Sequence, residues 1–430
     1  MNSINLAERM EDLQASDIRE ILKVTGQPDM ISFAGGLPAP ELFPIDELRR
    51  IADEVLRLDG ERALQYSTSE GDPELRELVA RRTNHKLGTR TRADEVLVTC
   101  GSQQALDLVG KLLLDKNDIV LCESPTYLAA IQAFKAYQAR FVEVATDDDG
   151  MVPKDLERRL ADNPRVKMIY VVPDFQNPSG RCWSMERRLQ LLQLARRFNV
   201  PVVEDSPYAE LRFAGEPVPP VAALDREGRV IYLGTCSKII CPGMRIGWAI
   251  AAPPLIEKLT LAKQGVDLHT SSLSQRLLAV YLRDEDAEER ITHICDTYRH
   301  RRNVMVRSLE AEMPREVAFT RPEGGLFLWA TLPDHLNARE LLSRSLEQHV
   351  AFVPGGSFFP NGGHENTMRL NFSNMPPERI AEGVTRLAAV IREELGKQTP
   401  TTAGRKKGDE HSPGSVFAHQ LGFREGGQCQ

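Results

Sequence analysis

The sequence predicts an α/β protein, with a mainly parallel sheet in a large domain and a smaller α+β domain after it. Short, almost wholly apolar segments alternate with helix-like segments between residues 95 and 250, which is typical of strands buried on both faces. From about residue 278 the pattern changes to a long charged helix and separate strands. The 430 residues are also enough to build two hydrophobic cores.

The elements of the large domain follow in regular order. The predicted strands are residues 95–100, 119–122, 166–172, 200–204, 230–233 and 246–250. The predicted helices are residues 102–114, 128–137 and 185–198. Strands joined through helices run parallel, because a parallel pair needs a long crossover connection. We therefore expect a mainly parallel sheet of the seven-stranded type.

The smaller domain begins with the charged helix that runs past residues 290, 299 and 307. Strands are predicted at residues 327–329, 350–353 and 367–372, and a last helix from residue 377 to about 395. We expect residues 1–45 to pack with this domain, residues 46–285 to form the large domain and residues 286–396 the small one. Residues 397–430 are rich in Gly, Ser and Thr and carry a basic triplet, so we expect them to be disordered.

Composition excludes several classes of function. The net charge is −7 and basic residues are interspersed with acidic ones, which disfavours nucleic-acid binding. No apolar run reaches the length of a membrane span, and charged residues interrupt the start of the chain, so we predict neither a membrane partner nor a secretory signal. The seven cysteines are scattered without a C-x-x-C pair, which indicates reduced thiols in the cytoplasm. The histidines show no metal-binding spacing, so we expect no metal.

The most informative segment is residues 234–245, where Lys238 follows the apolar strand 230–233. A lysine at the end of a buried strand is costly unless it pairs or reacts. A desolvated lysine loses its proton and becomes a nucleophile that forms a Schiff base with an aldehyde. Ser237 and Arg245 can hold a phosphate beside that aldehyde, and the combination indicates pyridoxal phosphate. The alternative is an ordinary strand-to-loop junction with a snorkelling lysine.

Two more segments offer groups that this cofactor needs. Gly101, Ser102 and Gln103 stand where a strand ends and a helix begins, and the free N–H groups of a helix start attract phosphate. Asn177 follows the strand 166–172, where ligands bind in open α/β sheets, and it can donate to the phenolic oxygen of the ring. Taken alone, the first segment also fits a serine N-cap and the second a turn rich in Asn, Pro and Gly.

Buried charge marks two further positions. Asp205 closes the strand 200–204, and a carboxylate opposite a pyridine nitrogen keeps that nitrogen protonated. Tyr208, three residues on, can share the phenolic oxygen with Asn177. Arg369 stands in an otherwise apolar strand, where a guanidinium is suited to gripping an α-carboxylate. The alternatives are a turn cap for Asp205 and a half-exposed edge arginine for Arg369.

With these residues identified, the chain resembles the fold-type I pyridoxal-phosphate enzymes of the class I/II aminotransferase family over roughly residues 13–395. Within that family it is most similar to the 2-aminoadipate aminotransferase, or LysN-like, group. The resemblance rests on the segments at residues 32–44, 101–109 and 352–359 and on the lysine segment. It implies a pyridoxal-phosphate enzyme of fold type I.

The resemblance also implies a role for each site residue. Lys238 binds the cofactor and moves the substrate proton, Asp205 pairs with the pyridine nitrogen, and Asn177 and Tyr208 contact the phenolic oxygen. The phosphate site it implies consists of Gly101, Ser102, Gln103, Ser237 and Arg245. Tyr127 stacks on the ring, and Tyr66 reaches the neighbouring subunit's phosphate, which implies a homodimer with shared sites. The substrate site it implies consists of Gly36, Arg369, Asn177 and Arg19, the last for an acidic side chain.

The leading hypothesis is therefore ping-pong transfer of an amino group between a 2-aminoadipate- or glutamate-like amino acid and a 2-oxo acid. Cys236, Cys241 and Pro207 depart from the group's pattern and keep a second hypothesis open. In it the same cofactor serves β- or γ-elimination, replacement or racemisation in specialised metabolism. A third hypothesis, a ligand-sensing transcription regulator, is disfavoured because the chain is acidic and only about a dozen residues precede the family-like region.

Overall fold

A computed structural model describes residues 6–10, 21, 29–284 and 286–397 of the chain. Arg19 and the tail beyond residue 397, for which the sequence analysis makes predictions, lie outside these residues. Within the described residues, no helix combines the length and the apolar character needed to cross a membrane.

The strands of the described residues are β1 (Ile31–Ser32), β2 (Val96–Thr99), β3 (Ile119–Glu123), β4 (Arg140–Val144), β5 (Thr146–Asp147), β6 (Gly150–Met151), β7 (Val166–Val171), β8 (Val202–Asp205), β9 (Val230–Thr235), β10 (Gly247–Ile250), β11 (Ala318–Phe319), β12 (Phe327–Thr331), β13 (Val350–Ala351), β14 (Val353–Pro354) and β15 (Thr367–Asn371). The α-helices are α1 (Ile45–Ala63), α2 (Pro73–Leu87), α3 (Gly101–Leu113), α4 (Leu128–Lys135), α5 (Pro153–Asp162), α6 (Met185–Phe198), α7 (Val221–Leu224), α8 (Pro253–Gln264), α9 (Ser272–Asp284), α10 (Ala287–Glu312), α11 (Ala338–Glu347) and α12 (Pro377–Lys397). The predicted elements agree with observed ones to within a few residues, but about half of the observed elements, chiefly helices and two-residue strands, were not predicted.

Seven strands form the central sheet, in the order β2-β10-β9-β8-β7-β3-β4. Only β10 runs antiparallel to its neighbours, β9 and β2. The connection from β9 to β10 contains a short turn at Pro242–Met244 and no α-helix, so it cannot make the crossover that a parallel pair requires. The predicted α/β fold with a mainly parallel seven-stranded sheet is confirmed.

Alternate residues of the central strands point into two separate cores. In β7, Met168 and Tyr170 join one apolar cluster with residues of α3, α4 and α8. Ile169 and Val171 join a second cluster with residues of α5 and α6. Helices therefore cover both faces of the sheet, which is why its strands are nearly continuous apolar runs in the sequence.

A second sheet has four antiparallel strands in the order β11-β12-β15-β14. The single strand predicted at residues 350–353 is wrong in detail, because it is divided between two sheets. Its first half, β13, pairs with β1, and its second half, β14, pairs with β15. The sequence analysis also missed β4, an edge strand with mixed burial and therefore without a continuous apolar signal. The predicted domain boundaries stay a prediction.

The loop between β7 and α6 carries Asn177 and is fixed by a buried ion pair. Arg188 of α6 makes two hydrogen bonds to Asp174, of 2.7 Å and 3.2 Å, and their side chains are 0% and 5% exposed. Arg188 also donates to the carbonyl of Pro219 at 3.1 Å. At the base of the loop, Glu123 accepts hydrogen bonds from Val172 and from the Trp183 indole. Burial raises the pKa of Glu123 to about 7.

We predict that Arg188→Met lowers the free energy of unfolding by about 3–5 kcal/mol, because it leaves Asp174 buried without its cation. Urea unfolding followed by circular dichroism measures this change. The matched control is Arg321→Met, which breaks a pair with Glu310 whose side chains are 59% and 46% exposed and should cost less than about 1 kcal/mol. Equal urea midpoints for the two variants would contradict the prediction.

Candidate active site

A cavity of about 270 Å³ lies where β2, β7, β8 and β9 end. Parallel strands of one sheet deliver their following loops to the same edge, where ligands bind in open α/β folds. The four-stranded sheet contributes the opposite wall through β12 and β15. The residues lining the cavity are Gly36, Ser102, Gln103, Tyr127, Val172, Asn177, Asp205, Pro207, Tyr208, Thr235, Ser237, Lys238, Pro242, Arg245, Phe327 and Arg369.

All of the predicted site residues except Gly101, Tyr66 and Arg19 line this cavity. Gly101 lies directly behind it, against the Arg245 guanidinium. Tyr66 is 79% exposed and packs edge-on against His269 at 5.8 Å, so it does not line the cavity of its own chain. Arg19 lies outside the described residues.

Lys238 follows β9 and places its amine inside the cavity. Its Nζ donates a hydrogen bond to the carbonyl of Gly36 at 2.9 Å. Burial, together with the positive charges of Arg369 and Arg245, lowers the pKa of Lys238 to about 8. A substantial fraction of this amine is therefore neutral near physiological pH, which is the nucleophilic form.

Asp205 is the last residue of β8 and is buried. Its Oδ2 accepts a hydrogen bond from the Tyr170 hydroxyl at 2.8 Å, and its buried Oδ1 has no partner among the described residues. Burial raises the pKa of Asp205 to about 6, so the group is mainly ionised at neutral pH. A buried carboxylate oxygen without a partner points to a missing donor or cation.

Arg369 lies on β15 and is also buried. Its two terminal nitrogens donate to Oδ1 of Asn177 at 2.8 Å and to the carbonyl of Ala34 at 2.6 Å. Its guanidinium stacks 4.2 Å from the ring centre of Phe327, while its Nε has no partner. Burial lowers the pKa of Arg369 to about 10, which leaves it charged and able to bind an anion.

A second cationic region lies at the start of α3. Gly101 has φ of +69°, and a Cβ on it would lie 2.5 Å from a terminal nitrogen of Arg245, so only glycine lets the guanidinium cross the backbone here. Arg245 itself has a positive φ of 56° and makes no ion pair with any described residue. Ser237 lies beside it, with its Oγ 2.9 Å from the Thr235 hydroxyl. Among the described residues, the Arg245 guanidinium donates only to the carbonyl of Pro242, at 3.3 Å. The first N–H groups of α3 and this arginine without an ion pair together suit a phosphate.

Aromatic groups form the remaining walls. Tyr208 lies 3.5 Å from Nδ2 of Asn177 through its hydroxyl and packs edge-on against Phe327. Tyr127 precedes α4, and burial raises its pKa to about 12. At Gly36 an added Cβ would approach the Phe327 ring to 3.0 Å, so the missing side chain keeps this side of the cavity open.

Five lining residues have no predicted role: Val172, Pro207, Thr235, Pro242 and Phe327. Phe327 begins a buried strand and looks like an ordinary core residue in the sequence. Its place under Arg369 depends on the pairing of β12 with β15, which the sequence does not specify. Thr235 could have been identified from the sequence as a residue of the cavity, since it is a polar residue at the end of an apolar strand and close to Lys238.

The donor set fits one kind of ligand. It offers an anion site at Ser102, Ser237 and Arg245, a carboxylate at Asp205 and a partly neutral amine at Lys238. Pyridoxal phosphate has the complementary groups: a phosphate, a basic ring nitrogen and an aldehyde. Arg369 adds a second cation to the cavity wall, and its buried Nε has no hydrogen-bond partner in the described part of the chain.

Comparison with known proteins supports this interpretation. The family described as aminotransferase class I and II matches residues 30–387. The chain is 46% identical to the 2-aminoadipate transaminase of Thermus thermophilus over 88% of its own length and 94% of that protein. It is 45% identical to aromatic-amino-acid aminotransferase 1 of Thermococcus litoralis, covering 91% of this chain and 95% of that one.

A solved structure agrees in fold. The crystal structure of LysN, the α-aminoadipate aminotransferase of Thermus thermophilus, complexed with N-(5'-phosphopyridoxyl)-L-leucine, superposes with a TM-score of 0.86 at 44% identity. The match covers 91% of this chain and 98% of that one. The predicted resemblance to the LysN-like group, the enzyme class and the cofactor are confirmed. The chain belongs to the aminotransferase class I and II family.

Proposed function

We propose that this enzyme transfers an amino group between a 2-aminoadipate- or glutamate-like amino acid and a 2-oxo acid, with pyridoxal phosphate held in the cavity described above. The observation that carries the proposal is the set of unsatisfied groups around Lys238. The Oδ1 of Asp205 and the Nε of Arg369 are buried without partners, and the amine of Lys238 has a pKa lowered to about 8. Perturbed and unpaired groups that converge on one cavity are typical of catalytic sites.

The residues have distinct roles in holding the cofactor. Ser102, Gln103, Ser237 and Arg245, next to Gly101, hold the phosphate; Asp205 pairs with the ring nitrogen; Tyr127 covers the ring; and Asn177 and Tyr208 contact its phenolic oxygen. When bound, pyridoxal phosphate supplies an aldehyde that condenses with amines and a protonated ring that accepts electrons. The ionised Asp205 preserves that protonation, because its negative charge stabilises a cation beside it.

Lys238 serves as the base of the reaction. Its Nζ removes the proton from the α-carbon of the substrate and later returns a proton, which requires the neutral amine at the start. The nearby positive charges of Arg369 and Arg245 favour that neutral form. The first 2-oxo acid leaves before the second enters, so the kinetics are ping-pong.

Arg369 holds the α-carboxylate of the substrate. Asn177 orients it through the 2.8 Å hydrogen bond, and Phe327 supports the guanidinium from below. The open space at Gly36 receives the substrate side chain. Arg19 remains our proposed partner for an acidic side chain, since one relative is a 2-aminoadipate transaminase. Elimination, replacement and racemisation are not favoured, because these relatives are named for amino transfer.

We also propose that the enzyme is a homodimer with shared active sites. Tyr66 and its neighbour Leu64 are 79% and 70% exposed, and Val266 and Leu268 are about half exposed. These four residues form an apolar rim, joined by the Tyr66–His269 contact. The rim adjoins the phosphate site, because Asp267 accepts a hydrogen bond from Gln104 in the first turn of α3 at 2.7 Å. We propose that a second copy of this chain packs against the rim, since exposed apolar patches beside an active site are typical of subunit interfaces.

A cytoplasmic location is part of the proposal. It is supported by the scattered cysteines, of which the six in the described residues are all free thiols.

The domain boundaries near residues 45, 285 and 396 are also proposed, with the central sheet in the large domain and the four-stranded sheet in the small one.

The activity test is a panel of amino donors with 2-oxoglutarate as acceptor. We expect the purified protein to show a yellow absorbance band that bleaches with glutamate or 2-aminoadipate and returns with a 2-oxo acid. Lys238→Ala should lower the rate about a hundredfold to ten-thousandfold, as loss of a general base does. Lys154→Ala, an exposed lysine elsewhere, is the control. A protein that binds the cofactor but transfers no amino group would overturn the proposal, and ammonia release without acceptor would indicate elimination.

The lowered pKa of Lys238 predicts how cofactor uptake depends on pH. The neutral amine attacks the aldehyde, so the rate at which Lys238 reacts with added pyridoxal phosphate should rise with pH and level off above a midpoint near pH 8. Stopped-flow absorbance of the apoprotein measures it. Arg369→Met removes one of the charges that lower the pKa and should move the midpoint upward. A wild-type midpoint near the ordinary 10.5 would contradict the prediction.

Shared sites predict complementation between two defective chains. Tyr66→Phe and Lys238→Ala each damage every site of their own homodimer. In a mixed dimer, one site takes Lys238 from one chain and Tyr66 from the other and is intact. Random reassociation should therefore restore about a quarter of wild-type activity. No recovery, with mixed dimers demonstrated by light scattering and differential tags, would place Tyr66 outside the partner's site.

A further inference from the structure

A buried hydrogen bond behind the cavity has no role in the mechanism above. The Tyr170 hydroxyl donates to Oδ2 of Asp205 at 2.8 Å, while Oδ1 of the same carboxylate has no partner. Asp205 lines the cavity and Tyr170 does not. One oxygen of Asp205 is therefore engaged from the protein side, and the other remains available.

The pairing of two parallel strands creates this contact. Tyr170 of β7 lies opposite Val203 of β8. Side chains alternate along a strand, so Val203 and Asp205 face the same side of the sheet as Tyr170. Tyr170 and Val203 share one apolar cluster. The hydroxyl consequently reaches the carboxylate two residues farther along the neighbouring strand.

Tyr170 is a fixed and permanent donor. The residue is only 1% exposed, and its ring packs edge-on against Phe134 at 5.7 Å. Burial, reinforced by the negative charge of Asp205, raises the pKa of the Tyr170 phenol well above its ordinary value. The hydroxyl therefore keeps its proton over the whole working range of the protein. A buried hydroxyl can keep this orientation because its hydrogen bond to a charged acceptor is stronger than a neutral one.

We propose that Tyr170 is a positioning residue that keeps Asp205 ionised and turns its Oδ1 towards the ring nitrogen of the cofactor. The inference rests on the proposed function, since it assigns Asp205 to that nitrogen. Tyr170 stabilises the charged carboxylate by donating to it. Without this donor, burial alone acts on Asp205 and favours the neutral acid, which cannot pair with a protonated ring.

Other groups that face Asp205 do not replace this donor. The titratable and charged groups that share the cavity with it are Tyr127, Tyr208, Lys238, Arg245 and Arg369. None of them donates a hydrogen bond to Asp205 or forms an ion pair with it in the described part of the chain. The negative charge of Asp205 instead raises the pKa values of the Tyr127 and Tyr208 phenols, in addition to burial.

The test is the affinity of the apoprotein for pyridoxal phosphate as a function of pH, measured by absorbance titration. We expect Tyr170→Phe to bind the cofactor about tenfold more weakly on the acid side of the profile, below the pKa of Asp205, and only about twofold more weakly at neutral pH, because the lost hydrogen bond stabilises the ionised carboxylate. The acid limb of its affinity profile should move up by about one pH unit, because the pKa of Asp205 rises. Tyr137→Phe is the matched control, since that hydroxyl donates to Asp107 at 2.9 Å away from the cavity.

A double-mutant cycle separates positioning from packing. In the Asp205→Asn background, Tyr170→Phe should have no further effect on cofactor affinity, because the charge on which the hydroxyl acts is already gone. A loss of the same size in both backgrounds would overturn the proposal and assign Tyr170 to packing. An unchanged affinity and pH midpoint in the single variant would also overturn it. A wild-type protein that does not bind the cofactor would instead refute the proposed function, so the two failures are distinguishable.

Discussion

The hydrogen bond between Arg369 and Asn177 is the interaction on which the geometry of the site depends. It joins β15 of the four-stranded sheet to the loop that follows β7 of the central sheet. The same guanidinium donates to Ala34 and so fixes the segment that precedes Gly36. Three parts of the chain that are far apart in sequence therefore meet at one buried cation. Its planar shape allows this, because a guanidinium can donate in several directions within one plane while its face stacks on Phe327.

Around this point the protein buries charge without pairing it internally. Asp205, Lys238 and Arg369 each accept or donate at least one hydrogen bond, yet none forms an ion pair with another. Burial opposes the charged form of all three, which raises the pKa of the acid and lowers those of the bases. Burying such charged groups lowers the stability of the fold, and they are typical of sites where a bound ligand supplies the missing hydrogen-bond or charge partners. The polar groups behind the cavity, among them Tyr170, limit that cost by stabilising one orientation.

Local sequence patterns identified most of the site because its residues occupy chemically unusual positions. Lys238, Asp205 and Arg369 stand out as charges at the ends or centres of apolar strands, and Gly101 and Asn177 stand out at strand-to-loop junctions. Phe327 could not be identified in this way, since a phenylalanine in a buried strand has the same local pattern whether it supports an arginine or fills a core. The division of residues 350–353 between two sheets was missed for a similar reason, because strand pairing is a long-range choice.

The sequence by itself determined the α/β class, six of the seven central strands, and most of the residues that line the cavity. The fold class and the strands follow from local hydrophobic patterning, which reflects burial. The cavity residues follow from the unfavourable free energy of burying a charge that has no partner. The tertiary structure alone decided that β10 runs antiparallel, that Arg369 reaches Asn177, and that Tyr170 engages Asp205. Each of these depends on which strands become neighbours and in which register. Strand pairing and register are set by packing across the whole fold, so they cannot be predicted from any short segment of the sequence.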